Sequence, residues 1–340
     1  MELTADPPGR GAAAPAPRHR VPLSSSPRRT RVAQRMVAIQ QGLVDFFEGF
    51  ETRARFTEDA WDRPEGGGGV SRVLSDGETF EKAGVNWSQV WGEVPPMMRE
   101  HLDAEVEDER LVEFFATGVS VVAHPRSPRV PIVHLNVRFF ELTDGMGEVV
   151  DGWFGGGCDL TPTYPEPEDA ASFHRGLQRL CDRYAPELYP SFKGACDRYF
   201  VNTHREMEPR GVGGLFFDHL RGGDFGLGWP ELFRMVQDVG GCLPEVYGPV
   251  VERRRRQAWS EEERVFQLQR RGRYVEFNLV HDRGTRFGLQ TGARIESVLM
   301  SLPPMARWRY DVVPESGSFQ EAFAAMLEPR DWASWEPAGR

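Results

Sequence analysis

Apolar and polar residues alternate along the segment from Val130 to Leu142, which is typical of a β-strand with two different faces. One set of alternating positions is apolar: Val133, Leu135, Val137 and Phe139. His134, Asn136 and Arg138 occupy the positions between them. An imidazole, an amide and a guanidinium in one row suit an anionic substrate that has a proton to transfer. The alternative is an ordinary polar strand face in contact with solvent.

Further segments are predicted as strands, and some are joined by short connections that contain proline or glycine, which favours antiparallel pairing. They are Val70–Leu74 after a glycine loop, Gly118–His124, Val149–Phe154, Gly214–Phe217, Tyr274–Val280 and Ile295–Leu302. Helical spacing of apolar residues predicts helices over Arg31–Arg55, from Glu168, from about Phe192 to His204, from Pro230, after Ser260 and over Phe319–Leu327. The strands cluster without regular alternation with helices, so we predict one α+β domain.

Composition separates this domain, over residues 31–340, from a disordered N-terminal tail over residues 1–30. The tail is rich in Pro, Ala, Ser and Arg and has no apolar periodicity. The net charge of -10 argues against a general nucleic-acid-binding protein, because nucleic acids attract basic surfaces. No apolar run approaches the length of ~20 residues that a membrane span requires.

The cysteines indicate the cellular compartment. Cys158, Cys181, Cys196 and Cys242 form no C-x-x-C pair and no zinc-like spacing, so we expect reduced thiols in the core. Reduced thiols imply a cytoplasmic location. The alternative is an organelle, since the Arg and Ser content of the tail resembles a transit peptide, although Glu2 and Asp6 weaken that alternative.

Charged residues beside glycines are candidates for a binding site. Four arginines lie next to glycines or on polar strand faces: Arg138, Arg210, Arg283 and Arg294. Such cations suit bidentate capture of carboxylates or phosphates, and the alternative is that each pairs with one of the many acids. Asp159 and Asp282 lie beside glycine turns that we expect at strand ends, where a side chain projects into a cleft. The alternative is that each only stabilises its own turn.

The histidines show no metal-binding spacing. His124, His134, His174 and His204 are far apart in the sequence and form neither H-x-H nor H-E-x-x-H. A metal site would therefore have to assemble in space from several elements.

Long blocks of this sequence resemble the oxygen-dependent coproporphyrinogen III oxidase family, from about Phe56 to Tyr310. The blocks are GGGGVSRVLSDGETFEKAGVNWSQVWG, GVSVVAHPRSPRVPIVHLNVRFFEL, WFGGGCDLTP, RGVGGLFFDHL and YVEFNLVHDRGTRFGLQTGARIESVLMSLPP. The resemblance implies a large, mostly antiparallel sheet flanked by helices on both faces. It also implies a homodimer formed through Tyr274–Arg309.

The activity that the resemblance implies is oxidative decarboxylation of two propionates of coproporphyrinogen III to vinyl groups. The product is protoporphyrinogen IX and the oxidant is dioxygen. The resemblance implies no flavin, haem or nicotinamide, and it leaves a requirement for a divalent metal open.

The resemblance also assigns roles to residues. His134 is expected to donate a proton, and Asp282, Arg283 and Asp159 to hold the pyrroles and the reacting propionate. The positions expected to contact substrate are Ser120, Asn136, Val137, Arg138, Gly292, Ala293 and Arg294. The positions that match metal ligands assigned in the family are His124, His134, His174 and His204.

Two residues depart from the family pattern: His281 stands where an aromatic residue is usual, and His219 where a second acid is common. Two other functions stay open at this point. One is a metal-dependent oxygenase that uses the four histidines. The other is a non-catalytic tetrapyrrole carrier, which would keep the arginines but would need neither His134 nor the Asp282–Arg283 pair.

Overall fold

The computed structural model describes residues 26–94, 113–290 and 293–337, apart from the side chains of Phe287 and Gln290. Residues 1–25 of the predicted tail and the predicted contact residue Gly292 lie outside the described residues. The first helix, α1, spans Pro27–Glu48 and so begins and ends earlier than predicted. Ser26 caps it by accepting a hydrogen bond from the backbone nitrogen of Arg29, and Pro27 suits its first turn.

A seven-stranded antiparallel sheet organises the described residues, in the order β1-β2-β3-β4-β5-β6-β9. Two further short strands, β7 and β8, pair only with each other. The strands are β1 (Thr57–Asp62), β2 (Gly67–Ser75), β3 (Phe80–Glu93), β4 (Glu113–Pro125), β5 (Ile132–Thr143), β6 (Val149–Thr161), β7 (Val201–Asn202), β8 (Glu208–Pro209) and β9 (Gly213–Leu220). Antiparallel pairing is confirmed.

One face of the sheet packs on helices and forms the main core. Leu135, Val137 and Phe139 of β5 are fully buried on this face, as their alternation predicts. The helices after α1 are α2 (Pro167–Asp182), α3 (Leu188–Tyr199), α4 (Trp229–Gly240), α5 (Leu243–Val246), α6 (Gly248–Arg254), α7 (Glu261–Glu276), α8 (Arg283–Gln290), α9 (Ile295–Leu299) and α10 (Phe319–Leu327). Helices α1, α2 and α4 pack against the strands of this face.

The opposite face is only partly covered. Tyr274 of α7 packs on Val122 and Ile132 at one end of the sheet. Ser297 of α9 hydrogen-bonds to the Ser71 hydroxyl at 2.8 Å, and its carbonyl accepts from Asn86 at 2.8 Å. Helices therefore lie on both faces, and the predicted α+β fold with a large antiparallel sheet is confirmed.

Two strand predictions near the C-terminus are wrong. The segment Tyr274–Val280 forms the end of α7 and a short π-helix, Phe277–His281, and the segment Ile295–Leu302 contains α9. β-Branched and aromatic residues suggested strands there, but Tyr274 and Phe277 are three residues apart and are both buried, which is a helical arrangement.

The glycines Gly155–Gly157 also differ from the prediction of a turn. They lie inside β6, where they pair with β5 and β9, so Asp159 belongs to the strand and not to its end. Helix α3 ends at Tyr199, and His204 lies in a separate 3₁₀ turn, Thr203–Arg205. Glycine is disfavoured inside strands in general, but here it leaves room for side chains of the neighbouring strand.

The cysteine prediction agrees with the structure, since Cys158, Cys181, Cys196 and Cys242 are all free and buried. Burial raises the pKa of the Cys181 thiol to about 12, so this thiol carries its hydrogen at neutral pH. Among the described helices, none combines the length and the apolar character needed to cross a membrane.

Candidate functional site

The polar row predicted on β5 lies on the partly covered face of the sheet. His134, Asn136 and Arg138 are each partly accessible, and Ser120 of β4 stands directly opposite Asn136. Asn136 accepts a hydrogen bond from Arg138 at 2.9 Å and donates one to the carbonyl of Val119 at 3.2 Å. Asn136 and Arg138 are therefore linked to each other and do not act as independent side chains.

Glycines on the two neighbouring strands flank Arg138. Gly118 of β4 and Gly155 of β6 are the residues paired with Arg138 on its two sides. A Cβ at Gly155 would lie 2.6 Å from Nε of Arg138. The guanidinium of Arg138 thus occupies the space that a side chain at Gly155 would fill, and the sheet surface beneath the guanidinium stays flat.

His134 pairs with a buried carboxylate on the adjacent strand. Nδ1 of His134 lies 2.7 Å from Oδ1 of Asp159, and Oδ2 of Asp159 accepts from Nη2 of Arg210 at 2.6 Å. Asp159 is 2% exposed. Burial alone would raise the pKa of Asp159, but the charge of Arg210 and the hydrogen bond from His134 hold it below its usual range. Asp159 stands directly opposite His134 in the pairing of β5 with β6, so both side chains lie on the same face of the sheet, but Asp159 is covered by the residues around it whereas His134 is partly accessible.

Three of the four arginines that were candidates for anion capture, Arg138, Arg283 and Arg294, lie at this surface. Each of the three has an acidic neighbour. Arg138 forms an ion pair with Asp218 at 2.7 Å, and Nη2 of Arg283 lies 3.9 Å from the other oxygen of Asp218. Burial would raise the pKa of Asp218, but the charge and hydrogen bond of Arg138, together with His219, lower it. Arg294 pairs with Asp59. Asp218 was not predicted as a site residue, although it lies in the block RGVGGLFFDHL, next to His219.

Asp282 is the N-terminal residue of the turn that leads into α8. Its Oδ2 accepts from the backbone nitrogen of Thr285 at 2.7 Å, and its Oδ1 accepts from the Tyr199 hydroxyl at 3.0 Å. The contact with Thr285 is typical of an aspartate that caps a helix, so the expected strand end is corrected to a helix start. Asp282 is partly accessible, in contrast to Asp159. Arg283 next to it places its guanidinium 5.0 Å from the Tyr199 ring.

The expected substrate contacts divide by location. Ser120, Asn136 and Arg138 share the open face, and Arg294 lies at its β1 side, where Nη1 is 3.4 Å from the Ser297 hydroxyl. Ala293 is exposed beside Arg294. The side chain of Val137 is fully buried in the core, so a contact to a ligand through that side chain is excluded.

The four histidines lie in separate environments. His124 is fully buried and pairs with the Ser301 carbonyl, and His174 pairs with the Tyr189 hydroxyl and the Val212 carbonyl. Burial lowers the pKa of His174 to about 3. His204 contacts His281 and Glu276 instead. Across the residues that the structure describes, no three His, Cys, Asp or Glu side chains are grouped to hold a metal ion, so the predicted four-histidine set does not fit a metal.

The two residues that depart from the family pattern both contact aromatic rings. His281 stacks on His204 with ring centroids 4.9 Å apart. His219 stacks on Trp153 at 4.8 Å and adopts a left-handed backbone conformation with φ of 52°. His219 lies next to Asp218, and its Nδ1 is 3.9 Å from that carboxylate.

A comparison with protein families decides between the readings. The family described as coproporphyrinogen III oxidase matches residues 31–332, which is most of the chain. The chain belongs to this family. Membership makes coproporphyrinogen III the implied substrate and places the activity among the oxidations of porphyrin and haem biosynthesis. The resemblance drawn from the sequence blocks is thereby confirmed, and the carrier alternative loses its support.

Proposed function

We propose that this chain is the oxygen-dependent form of the enzyme and converts two propionates of coproporphyrinogen III to vinyl groups, giving protoporphyrinogen IX. The observation that carries this proposal is the open sheet face, on which His134, paired with Asp159, lies in one row with Asn136 and Arg138. A proton-transfer group and a carboxylate-binding cation are the two functions that such a reaction requires.

The chemistry of one propionate sets the requirements. Loss of carbon dioxide together with one hydrogen from the carbon next to the pyrrole leaves a vinyl group and releases one proton and two electrons. We propose that dioxygen takes the electrons. The porphyrinogen ring is electron-rich and can react with dioxygen itself, so the protein has to orient the ring, exclude water and move the proton. No organic cofactor is then required.

His134 is the residue that we assign to proton transfer. Its Nδ1 is engaged by Asp159, its side chain is 20% exposed, and the described residues provide no hydrogen-bond partner for Nε2. The free Nε2 is therefore available to a ligand on the open face. The ring of Phe200 packs against the imidazole at 5.9 Å and holds its orientation.

Asp282 is the residue that we assign to the pyrrole N–H groups. A porphyrinogen carries four N–H donors that can converge on one acceptor, and an accessible carboxylate meets that need. Asp159 competes for this role by sequence, and each of the two carboxylates already accepts hydrogen bonds on both oxygens, but Asp159 is 2% exposed whereas Asp282 is partly accessible. The accessibility of Asp282 therefore supports Asp282.

We assign Arg138 and Arg294 to the substrate carboxylates that do not react. An arginine that held the departing carboxylate would stabilise the ground state and slow its loss, because catalysis requires tighter binding of the transition state. Arg138 is already paired with Asp218 and hydrogen-bonded to Asn136, so its guanidinium is held in place before substrate binds. Such preorganisation suits an anchor.

We also propose a homodimer. Several large apolar side chains are exposed close together in the sequence: Met305, Trp308, Tyr310, Val312 and Val313. We call this set the C-terminal apolar patch. Tyr310 is 99% exposed and Val313 is 78% exposed, and apolar clusters of this kind mark interaction surfaces. A second copy of the chain is the partner that the family resemblance implies. The free buried cysteines support a reducing compartment, and we propose the cytoplasm.

The test is an assay of the purified full chain with coproporphyrinogen III, with and without dioxygen. Product is measured as protoporphyrin fluorescence after chemical oxidation, with removal of metals by a chelator as a parallel arm. We expect protoporphyrinogen IX only when dioxygen is present, and unchanged activity after chelation. Equal product without dioxygen would refute the oxygen-dependent assignment, and loss of activity after chelation would restore the metal-dependent alternative. His134→Gln is the matched variant, since it keeps a polar side chain of similar reach and loses proton transfer.

A further inference from the structure

Arg210 is a buried cation on the far side of Asp159 from His134. It is 3% exposed, and its Nη2 donates to Oδ2 of Asp159 at 2.6 Å. Its Nη1 donates to Oδ1 of Asn278 at 3.2 Å. Asp159 therefore bridges Arg210 and His134, one oxygen to each.

Three aromatic rings surround this guanidinium. Its central carbon lies 4.1 Å from the centroid of Phe200, 4.7 Å from that of Tyr274 and 4.8 Å from that of Phe277. The rings come from the residue after α3, from α7 and from the π-helix, so three elements fix one cation. Ring faces attract cations, and a guanidinium enclosed in this way has little freedom to turn away from Asp159.

The bridge determines which nitrogen of His134 carries the hydrogen. Burial would raise the pKa of Asp159, but the ion pair with Arg210 and the hydrogen bond from His134 together hold it below its usual range, so the carboxylate is ionised. An ionised carboxylate can only accept hydrogen bonds, so Nδ1 of His134 must donate. In the neutral imidazole, Nε2 then bears the lone pair that a substrate proton can reach.

We propose that Arg210 is a positioning residue for His134: by holding Asp159 as an acceptor, it places the hydrogen of the neutral imidazole on Nδ1 and presents an unprotonated Nε2 to the open face. The kinetic consequence rests on the proposed function, whereas the position of the hydrogen does not. Without the cation, the buried Asp159 would retain a proton and could donate it to Nδ1. His134 would then carry its hydrogen on Nε2 and could not accept another there.

The position of the hydrogen can be measured directly. Protein with nitrogen-15-labelled histidine is examined by long-range proton–nitrogen correlation at about pH 8.5, where an ordinary imidazole is neutral. The His134 signals are identified by their loss in His134→Gln. We expect hydrogen on Nδ1 in the wild type and in Arg210→Lys, which keeps the charge. We expect hydrogen on Nε2 in Arg210→Met, which removes it.

A matched control separates this effect from general damage to a buried ion pair. Arg254 is buried and pairs with Asp169, with Nε and Oδ2 2.7 Å apart, in a part of the core that does not contact His134. Arg254→Met should lose stability and leave the His134 signals unchanged. Where Arg210→Met does not fold, Arg210→Gln keeps a neutral hydrogen-bond donor and still removes the charge, and the same change is expected.

Kinetics provide the second readout. In Arg210→Met and Arg210→Gln, kcat should fall by ~10²–10⁴-fold, the range typical of one proton-transfer group, while KM stays near the wild-type value. Arg210→Lys should recover most of the loss. Hydrogen that stays on Nδ1 in the charge-free variants, or an equal shift in Arg254→Met, would overturn the proposal. Absence of oxidase activity in the wild type would instead refute the proposed function and leave the spectroscopic result standing.

Discussion

Replacing each of the two candidate carboxylates by its amide should give different results for stability. Asp159→Asn and Asp282→Asn are the same chemical change at a buried and at an accessible position. Asp159 lies between His134 and Arg210, whereas Asp282 caps α8 and has an accessible side. The comparison therefore separates a carboxylate that supports the interior from one that contacts substrate.

The stability change follows from the ion pair. Asp159→Asn leaves Arg210 buried without its counter-charge, and breaking a buried pair in this way costs ~3–5 kcal/mol. The amide still offers Arg210 an acceptor and Asn278 offers a second one, so we expect the lower end, about 3 kcal/mol. Asp282→Asn should change the free energy of unfolding by less than about 0.5 kcal/mol, because asparagine and aspartate are about equally good helix caps.

The activity change follows from the role assigned to Asp282. Loss of charge-assisted hydrogen bonds to the pyrrole N–H groups, at ~1.5–3 kcal/mol each, should reduce kcat/KM by about 100-fold or more. Urea unfolding and steady-state assays on both variants measure the two quantities. A folded Asp282→Asn enzyme with near wild-type kcat/KM would refute our assignment. Asp159→Asn should lose activity as well as stability, because His134 loses the carboxylate that accepts from it; a fully stable Asp159→Asn variant would contradict the role of the buried ion pair.

Three other changes have definite expected outcomes. Gly155→Ala places a methyl group on the guanidinium of Arg138, 2.6 Å from Nε, so we expect an unchanged fold and a KM raised by about 10-fold, measured in the same assay. The pKa of Glu81 is lowered, because the charge of Arg271 and hydrogen bonds together outweigh burial. The stability that ionised Glu81 gives the fold is therefore complete above pH 4.5 and is lost as the pH falls through the lowered pKa. Glu81→Gln should therefore be less stable than wild type at neutral pH, and the difference should shrink in urea titrations below pH 4.5; a constant difference would contradict this. Tyr310→Asp should convert a dimer of twice 38.5 kDa to the single-chain mass in light scattering, and an active wild-type monomer would exclude the dimer.

The sequence predicts the centre of the fold well because the β5 pattern is strong. Apolar residues at every second position of a strand all lie on one face, and Leu135 and Val137 are buried in the main core accordingly. The segment from Tyr274 to Leu302 was mispredicted because its local composition favours strands. Tertiary contacts override this local preference: within its helix, Tyr274 packs on His124 and on Arg210.

The site was predicted in part for a similar reason. The residues on β5 were found from alternation alone. The contact between His134 and Asp159 depends on the register of β5 with β6, which cannot be read from the pattern of a single sequence. Because a turn was predicted at Gly155–Gly157, Asp159 was placed outside the strand, and its pairing with His134 was not predicted. Arg210 was a candidate for anion capture, and the alternative of internal pairing is the one observed.

The most direct test of the oxygen-dependent assignment is the amount of dioxygen consumed for each carbon dioxide released. Purified protein is mixed with excess coproporphyrinogen III and a limiting, known amount of dioxygen, and both gases are followed until the reaction stops. Each vinyl group releases two electrons, and dioxygen accepts two when it is reduced to peroxide. We predict that one dioxygen disappears for each carbon dioxide and that release stops when dioxygen is exhausted. Continued release of carbon dioxide with vinyl formation after dioxygen is gone would contradict the account.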